Sequence, residues 1–154
     1  MTSTRVSGFV RAPRPAVYRA LVDAEAISAW RVPDDMTSRV HEFEPREGGR
    51  FRVSLVYDDP GREGKSGART DTYHGHFAAL ETDRRVIEVI EFDSADPATR
   101  GAMTMTTTLT DADGGTEVVI EHYGIPDSVA PADNETGTRM ALAKLAAYVE
   151  RQIT

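Results

Sequence analysis

The sequence predicts an α+β fold, in which an antiparallel sheet of about seven strands packs against one long C-terminal helix. Between residues 37 and 123, apolar and polar side chains alternate with the period of a half-buried strand. Short turn sequences, rather than helices, separate these segments, so consecutive strands are expected to pair antiparallel as a meander. In the last segment the apolar residues Leu142, Leu145 and Val149 instead recur at helical spacing, which indicates one helix packed onto the sheet.

The start of the chain is expected to form one strand and two short helices. Alternation from Thr4 to Arg11 indicates an edge strand, and Pro13 ends it. Pro13 also suits the first turn of a helix, because its fixed φ is already helical. Asp23 is the predicted N-cap of a second short helix, which ends near Trp30.

Later strands are predicted over residues 51–57, 71–80, 85–92, 102–109 and 116–123. The excursion from Asp58 to Thr70 is rich in glycine and charge, which indicates a mobile hairpin tip. The final helix is expected to begin after an N-cap at Asp133 and to continue to the C-terminus.

Composition restricts the classes of function. The chain has 154 residues, 40% of them hydrophobic, which predicts a single domain over residues 1–154. Eighteen basic and 25 acidic side chains give a net charge of -7, which disfavours nucleic acid as a partner. Cysteine is absent, so disulfides, thiolate catalysis and zinc fingers are excluded.

The same sequence predicts a cytoplasmic protein. No apolar stretch approaches the roughly 20 residues that cross a bilayer, so we expect no membrane span. The first residues carry no apolar segment followed by a small-residue cleavage site, so we expect no secretory signal.

Several short motifs occur in an order that is typical of one family. They are an alanine-proline start of the first helix with Val17 and Tyr18, Trp30 followed by Pro33, the stretch FEPREGGRF at residues 43–51, YHGHF at 73–77, GGTE at 114–117, EHYG at 121–124 and NETG at 134–137. With these motifs the chain resembles the activator of heat-shock protein 90 ATPase homologue family, within the START-like (SRPBCC) superfamily.

The resemblance implies a helix-grip (START/Bet v-like) fold, in which the sheet curls around the C-terminal helix and leaves a cavity between them. Two short helices would close one end of that cavity. Members of the family often carry tryptophan after the glycine of the last motif, where this chain has Thr138. A smaller residue there would leave the mouth of the cavity wider or more polar.

We expect the cavity to bind a small hydrophobic molecule without catalysis. Ordinary core packing is the competing interpretation for every apolar residue of the proposed lining. The candidate ligand-binding residues are Trp30, Phe51, Val53, Leu55, Tyr57, His74, His76, Met103, Met105, His122 and Leu145.

The histidines leave two alternatives open. His74 and His76 share one strand face, and together with His122 they could hold a metal, although the resemblance implies no metal and we expect no cofactor. Alternatively, a buried His122 paired with Tyr57 or Tyr73 could serve a polyketide cyclase or aromatase type of enzyme as a general base. The patterns favour a binding domain over an enzyme.

The sequence also permits two protein partners. Exposed sheet edges would permit a weak homodimer. Relatives of similar shape stimulate a heat-shock ATPase, which leaves a chaperone contact as a further alternative.

Overall fold

A computed structural model of the chain describes residues 2–58, 63–64, 67–68, 70–94 and 96–153. Within these ranges, one strand and two short helices are followed by eight strands and then by one long helix. The elements are β1 (Ser3–Val10), α1 (Arg14–Leu21), α2 (Ala24–Trp30), β2 (Met36–Phe43), β3 (Arg50–Tyr57), β4 (Glu63–Gly64), β5 (Gly67–Ala68), β6 (Thr70–Glu81), β7 (Arg85–Phe92), β8 (Met103–Ala112), β9 (Gly115–Tyr123) and α3 (Pro131–Gln152).

Seven of the strands form one antiparallel sheet in the order β1-β9-β8-β7-β6-β3-β2. The sheet curves around α3, so the predicted helix-grip fold is confirmed. Bulges at His41 in β2 and Ala78 in β6 each add one residue to a strand, which bends the sheet locally. The helices α1 and α2 lie against α3 and close one end of the curled sheet.

The predicted start of the last helix was wrong by three residues. α3 begins at Pro131, with Ala130 in the N-cap position and no side-chain cap. Proline fits the first helical position because its missing N–H would have no partner there in any case. Asp133 lies in the first turn instead, where its carboxylate still interacts favourably with the positive end of the helix dipole.

Between β3 and β6 the chain forms the short two-stranded sheet of β4 and β5. Residues 59–62, 65–66 and 69 of this excursion lie outside the described residues. The mobile hairpin tip predicted for Asp58 to Thr70 therefore stays a prediction.

The core lies between the concave face of the sheet and α3. Leu145 and Val149 of α3 are buried in one cluster with Val6 of the edge strand β1 and with Val118 and Ile120 of β9, the strand next to it. A side chain at Gly75 in β6 would collide with the carbonyl oxygen of Val89 in β7, so only glycine fits there. Within the described part of the chain, no helix is both long and apolar enough to cross a membrane.

Candidate functional site

A cavity of about 230 Å³ lies between α3 and the middle of the concave sheet face. Strands β3, β6, β7, β8 and β9 form its wall, the end of α2 forms one side, and the first turns of α3 form the other. Its lining comprises apolar Trp30, Leu55, Ile90, Phe92, Met103, Met105, Ile120 and Ala141, and polar or small Arg31, Tyr73, His122, Asp133, Asn134, Gly137 and Thr138.

An ion pair lies within the lining. Arg31 is the residue after the last turn of α2, so its side chain leaves the helix toward the sheet. Its Nη1 donates to Glu88 Oε1 at 2.8 Å, and its Nη2 lies 3.1 Å from Met105 Sδ. The side chains of Arg31 and Glu88 are only 15% and 7% exposed. Burial is the largest influence and lowers the pKa of Arg31, but Glu88 and Tyr73 together raise that pKa above its ordinary value, so this guanidinium stays charged.

Tyr73 of β6 points its ring into the same region. The guanidinium carbon of Arg31 lies 5.5 Å from the ring centroid, and Phe51 packs edge-on with centroids 6.1 Å apart. The phenolic oxygen is buried and has no hydrogen-bond partner among the described residues. Burial raises the pKa of this hydroxyl, with Arg31 opposing the shift in part, so Tyr73 keeps its proton at neutral pH.

His122 of β9, like Tyr73, brings a buried polar atom without a hydrogen-bond partner among the described residues to the cavity. Only 6% of the residue is exposed, and Nδ1 has no hydrogen-bond partner in the part of the chain that the structure describes. Burial, followed by the nearby charge of Arg31, lowers the pKa of His122 from 6.5 to about 4. The imidazole is therefore neutral at physiological pH, with one N–H donor and one nitrogen acceptor.

The first turns of α3 define the mouth of the cavity. Thr138 is buried, and its hydroxyl donates to the carbonyl oxygen of Asn134 at 2.7 Å. The donor of this hydroxyl is therefore already used within the helix. The side chain of Asn134 accepts a hydrogen bond of 2.6 Å from Thr4 in β1. Farther along α3, Lys144 bonds the carbonyl oxygen of Val32 and pairs with Asp34 at 3.3 Å. These contacts attach α3 to the elements on both sides of the cavity.

The structure brings some of the sequence-predicted residues to this cavity. Those that line it are Trp30, Leu55, Met103, Met105 and His122. The indole N–H of Trp30 donates to the carbonyl oxygen of Ala20 at 2.8 Å, so the polar end of this side chain is used within the fold.

Other predicted residues lie elsewhere. Phe51, Val53 and Leu145 are buried in the core but do not line the cavity. Phe51 packs edge-on against Phe77, with centroids 5.2 Å apart. Tyr57 lies at the end of β3 beside a recess on the outer edge of the sheet. For these residues, core or edge packing accounts for the apolar pattern.

The three histidines do not converge as the metal-site alternative would require. His74 and His76 share one face of β6, as predicted, but that face is the outer one, whereas Tyr73 and Phe77 face the core. His74 Nδ1 lies 2.6 Å from Asp93, and His76 borders an outer recess. His122 faces inward, so the sheet separates it from the other two. Among the described residues, no group of histidine and acidic side chains is arranged to hold a metal.

Sequence reasoning missed Arg31 and Glu88. One signal was available for Glu88, because it alternates with Val86, Ile90 and Phe92 on a single face of β7. An acidic residue on an apolar strand face requires a cation or a hydrogen-bond donor near it. Nothing in the sequence named Arg31 as that cation, since the two lie 57 positions apart.

A known protein family matches most of the chain. The model of the family described as activator of Hsp90 ATPase homolog 1-like protein matches residues 11–150. The chain belongs to this family. Among curated proteins, a search finds no match. Family membership agrees with a fold able to bind a ligand, but it does not identify one.

Solved structures of similar shape extend over nearly the whole chain. A protein from Chromobacterium violaceum is 28% identical and superimposes with a TM-score of 0.86, covering 96% of each chain. An AHSA1-like protein from Aeromonas hydrophila is 21% identical, with a TM-score of 0.75, and covers 98% of this chain and 94% of its own. A protein from Rhodobacter sphaeroides is 22% identical, with a TM-score of 0.78 and coverage of 97% and 93%. The last two comparisons show the shared fold alone.

Proposed function

We propose that this family member binds a small, mostly apolar molecule in the cavity between α3 and the sheet, without catalysing a reaction. The observation that carries the proposal is a largely apolar cavity lined by Tyr73 and His122, whose buried Oη and Nδ1 atoms have no hydrogen-bond partner among the described residues. A buried polar atom without a partner costs roughly 1–3 kcal/mol. A bound molecule with a polar end would recover part of that cost.

The volume of the cavity limits the size of the molecule. At about 230 Å³ it lies below the roughly 300–1,000 Å³ of sites for drug-sized ligands. A cavity of roughly 150 Å³ in another protein is large enough for benzene. We therefore expect a guest with a single ring or a short branched chain. Met103 and Met105 in the wall can adapt to an irregular outline.

The test is native mass spectrometry of the protein as purified and after incubation with 4-ethylphenol. We expect a small-molecule adduct in at least one of these samples. In Thr138→Trp the larger side chain should fill the mouth of the cavity and remove that adduct. Thr138→Val is the matched control, because it keeps the volume and removes only a hydroxyl that already bonds the helix backbone.

Two outcomes would contradict the proposal. Identical spectra from the wild type and Thr138→Trp would mean that the cavity is not the binding site. Loss of the adduct in Thr138→Val as well would mean that the effect does not come from filling the cavity.

An acid–base enzyme is the second candidate, since His122 and Tyr73 are both proton-bearing groups on the same cavity. The pKa of His122 argues against it, because a base with a pKa of about 4 accepts a proton poorly at neutral pH. Turnover of a bound compound that His122→Asn abolishes, while binding persists, would favour the enzyme instead.

A further inference from the structure

We infer that the ligand is a phenol or an alcohol whose single uncharged hydroxyl bonds Tyr73 and His122. A carboxylate of the same shape should bind more weakly. This inference rests on the proposed binding function and narrows its ligand class. It follows from three properties of the lining: a fixed phenol, a buried imidazole and an ion pair that is already balanced.

Tyr73 offers a hydroxyl whose position is largely set before any ligand arrives. Its ring is held by Phe51 at one edge and by the guanidinium of Arg31 over its face. The residue is 6% exposed, and its oxygen has no hydrogen-bond partner among the described residues. A phenolic O–H can donate one hydrogen bond and also accept one. A ligand oxygen placed beside it therefore meets a donor that loses little freedom on binding.

His122 supplies a complementary group on the same cavity. Its Nδ1 is buried and unpartnered within the described chain, and the residue lies beside Met105 of β8 and Thr4 of β1 in the sheet register. Because the low pKa keeps the ring uncharged, the imidazole has one nitrogen that donates and one that accepts. A hydroxyl can donate or accept in return, so it suits either tautomer.

The charges around the cavity disfavour an anion. Arg31 is the cation of the lining, and the carboxylate of Glu88 at 2.8 Å already balances its charge. Its second terminal nitrogen lies against the sulfur of Met105. A carboxylate ligand would thus be buried without an uncommitted cation, and Asp133 at the mouth adds a further negative charge. A neutral hydroxyl avoids this cost.

The remaining residues of the cavity wall suit the apolar body of such a ligand. Trp30, Ile90, Phe92 and Ile120 present apolar surface, so the body of the ligand transfers from water to an apolar environment. The polar groups Tyr73 and His122 lie on strands and not on loops, which holds their directions. One polar end and one apolar body are therefore the features that this lining selects.

The experiment compares three compounds of matched shape: 4-ethylphenol, ethylbenzene and 4-ethylbenzoate. Binding to the full chain is followed by isothermal titration calorimetry at pH 7.5. Net gains for a hydrogen bond of this kind correspond to about tenfold in affinity. We expect 4-ethylphenol to bind about tenfold more tightly than ethylbenzene, and 4-ethylbenzoate to bind more weakly than either.

Tyr73→Phe supplies the internal control, because it keeps the ring and removes only the hydroxyl. It should lower the affinity for 4-ethylphenol about tenfold and leave that for ethylbenzene unchanged. Tyr123→Phe, at a tyrosine that is 48% exposed, should change neither affinity.

The outcomes separate this inference from the binding function beneath it. If ethylbenzene and 4-ethylphenol bind equally, or if Tyr73→Phe weakens both alike, hydroxyl recognition is wrong while the cavity remains a binding site. If 4-ethylbenzoate binds more tightly than the other two compounds, the claim that the cavity disfavours anions is wrong. If none of the three compounds binds the wild type, this inference is wrong, and if the purified protein also carries no small-molecule adduct, the proposed function fails as well.

Discussion

At the scale of single residues, His122 is the side chain most altered by its surroundings. The same histidine in an unfolded chain has a pKa near 6.5, whereas burial and Arg31 lower its pKa to about 4 in the folded protein. As the pH falls, the unfolded chain therefore binds a proton before the folded chain does. The contribution of His122 to the unfolding free energy is therefore fully present above about pH 6.5 and is lost as the pH falls toward 4.

We predict a measurable pH dependence from this one residue. Between pH 7 and pH 5 the wild type should lose about 2 kcal/mol of unfolding free energy through His122, because most of the window between the two pKa values is crossed. Urea unfolding at both pH values measures the loss. His122→Asn lacks the titrating ring, so its loss should be smaller than that of the wild type by about this amount.

The comparison of the two proteins removes the contribution of every other titrating group. The charged and titratable groups near His122 in the cavity lining, Arg31, Tyr73 and Asp133, are the same in both. An equal loss of stability in wild type and variant would show that His122 is not held neutral by burial.

At the scale of elements, the pair of Arg31 and Glu88 connects the end of α2 to the centre of β7. Helix α2 has seven residues and is too short to be stable alone, so its position depends on tertiary contacts. Trp30 adds a second contact by bonding the backbone of α1. The ion pair therefore ties α2 to the sheet, and the buried indole ties α2 to α1.

Breaking that ion pair on one side should be costly. Arg31→Met leaves the carboxylate of Glu88 buried and unpaired, and we expect a loss of about 3–5 kcal/mol in unfolding free energy. Replacing both residues, as in Arg31→Met with Glu88→Met, should recover most of this loss because no uncompensated charge remains. Chemical denaturation of the two variants and the wild type measures the difference.

A surface ion pair gives the matched control. Arg85 and Glu81 lie 2.8 Å apart, but their side chains are 42% and 34% exposed. Arg85→Met should therefore lower the unfolding free energy far less than Arg31→Met does. A similar loss in Arg85→Met and Arg31→Met would contradict the view that burial makes the difference.

At the scale of the whole molecule, the cavity couples ligand binding to global stability. Its lining takes residues from α2, five strands and α3, so most of the fold must be assembled before the site exists. A ligand that binds only the folded state stabilises it by mass action. Binding should thus be visible in any measurement of unfolding.

We predict a rise in Tm when the ligand is present. At a free concentration of 100 times Kd the stabilisation is about 2.7 kcal/mol, which corresponds to about 5–10 °C for a domain of this size. Differential scanning calorimetry with 4-ethylphenol should show the rise in the wild type and in Thr138→Val, and no rise in Thr138→Trp. An equal rise in Thr138→Trp would indicate binding outside the cavity.

Much of the architecture could be predicted from the sequence, because local periodicity carries it. Alternation and short turns predicted the antiparallel sheet, and the spacing of Leu142, Leu145 and Val149 predicted the long helix on it. The order of short motifs predicted the family. These are properties of neighbouring residues, which the strand and helix periods place on common faces.

Only the tertiary structure decided which face became the site. A period of two shows that His74 and His76 share a face, but not that this face turns outward while Tyr73 turns inward. Apolar residues on both faces of β7 leave the same ambiguity for Glu88. The curl of the sheet around α3 resolves it, and it also brings Arg31 to Glu88 across 57 positions of sequence. A contact between residues so far apart arises from packing, which no local pattern encodes.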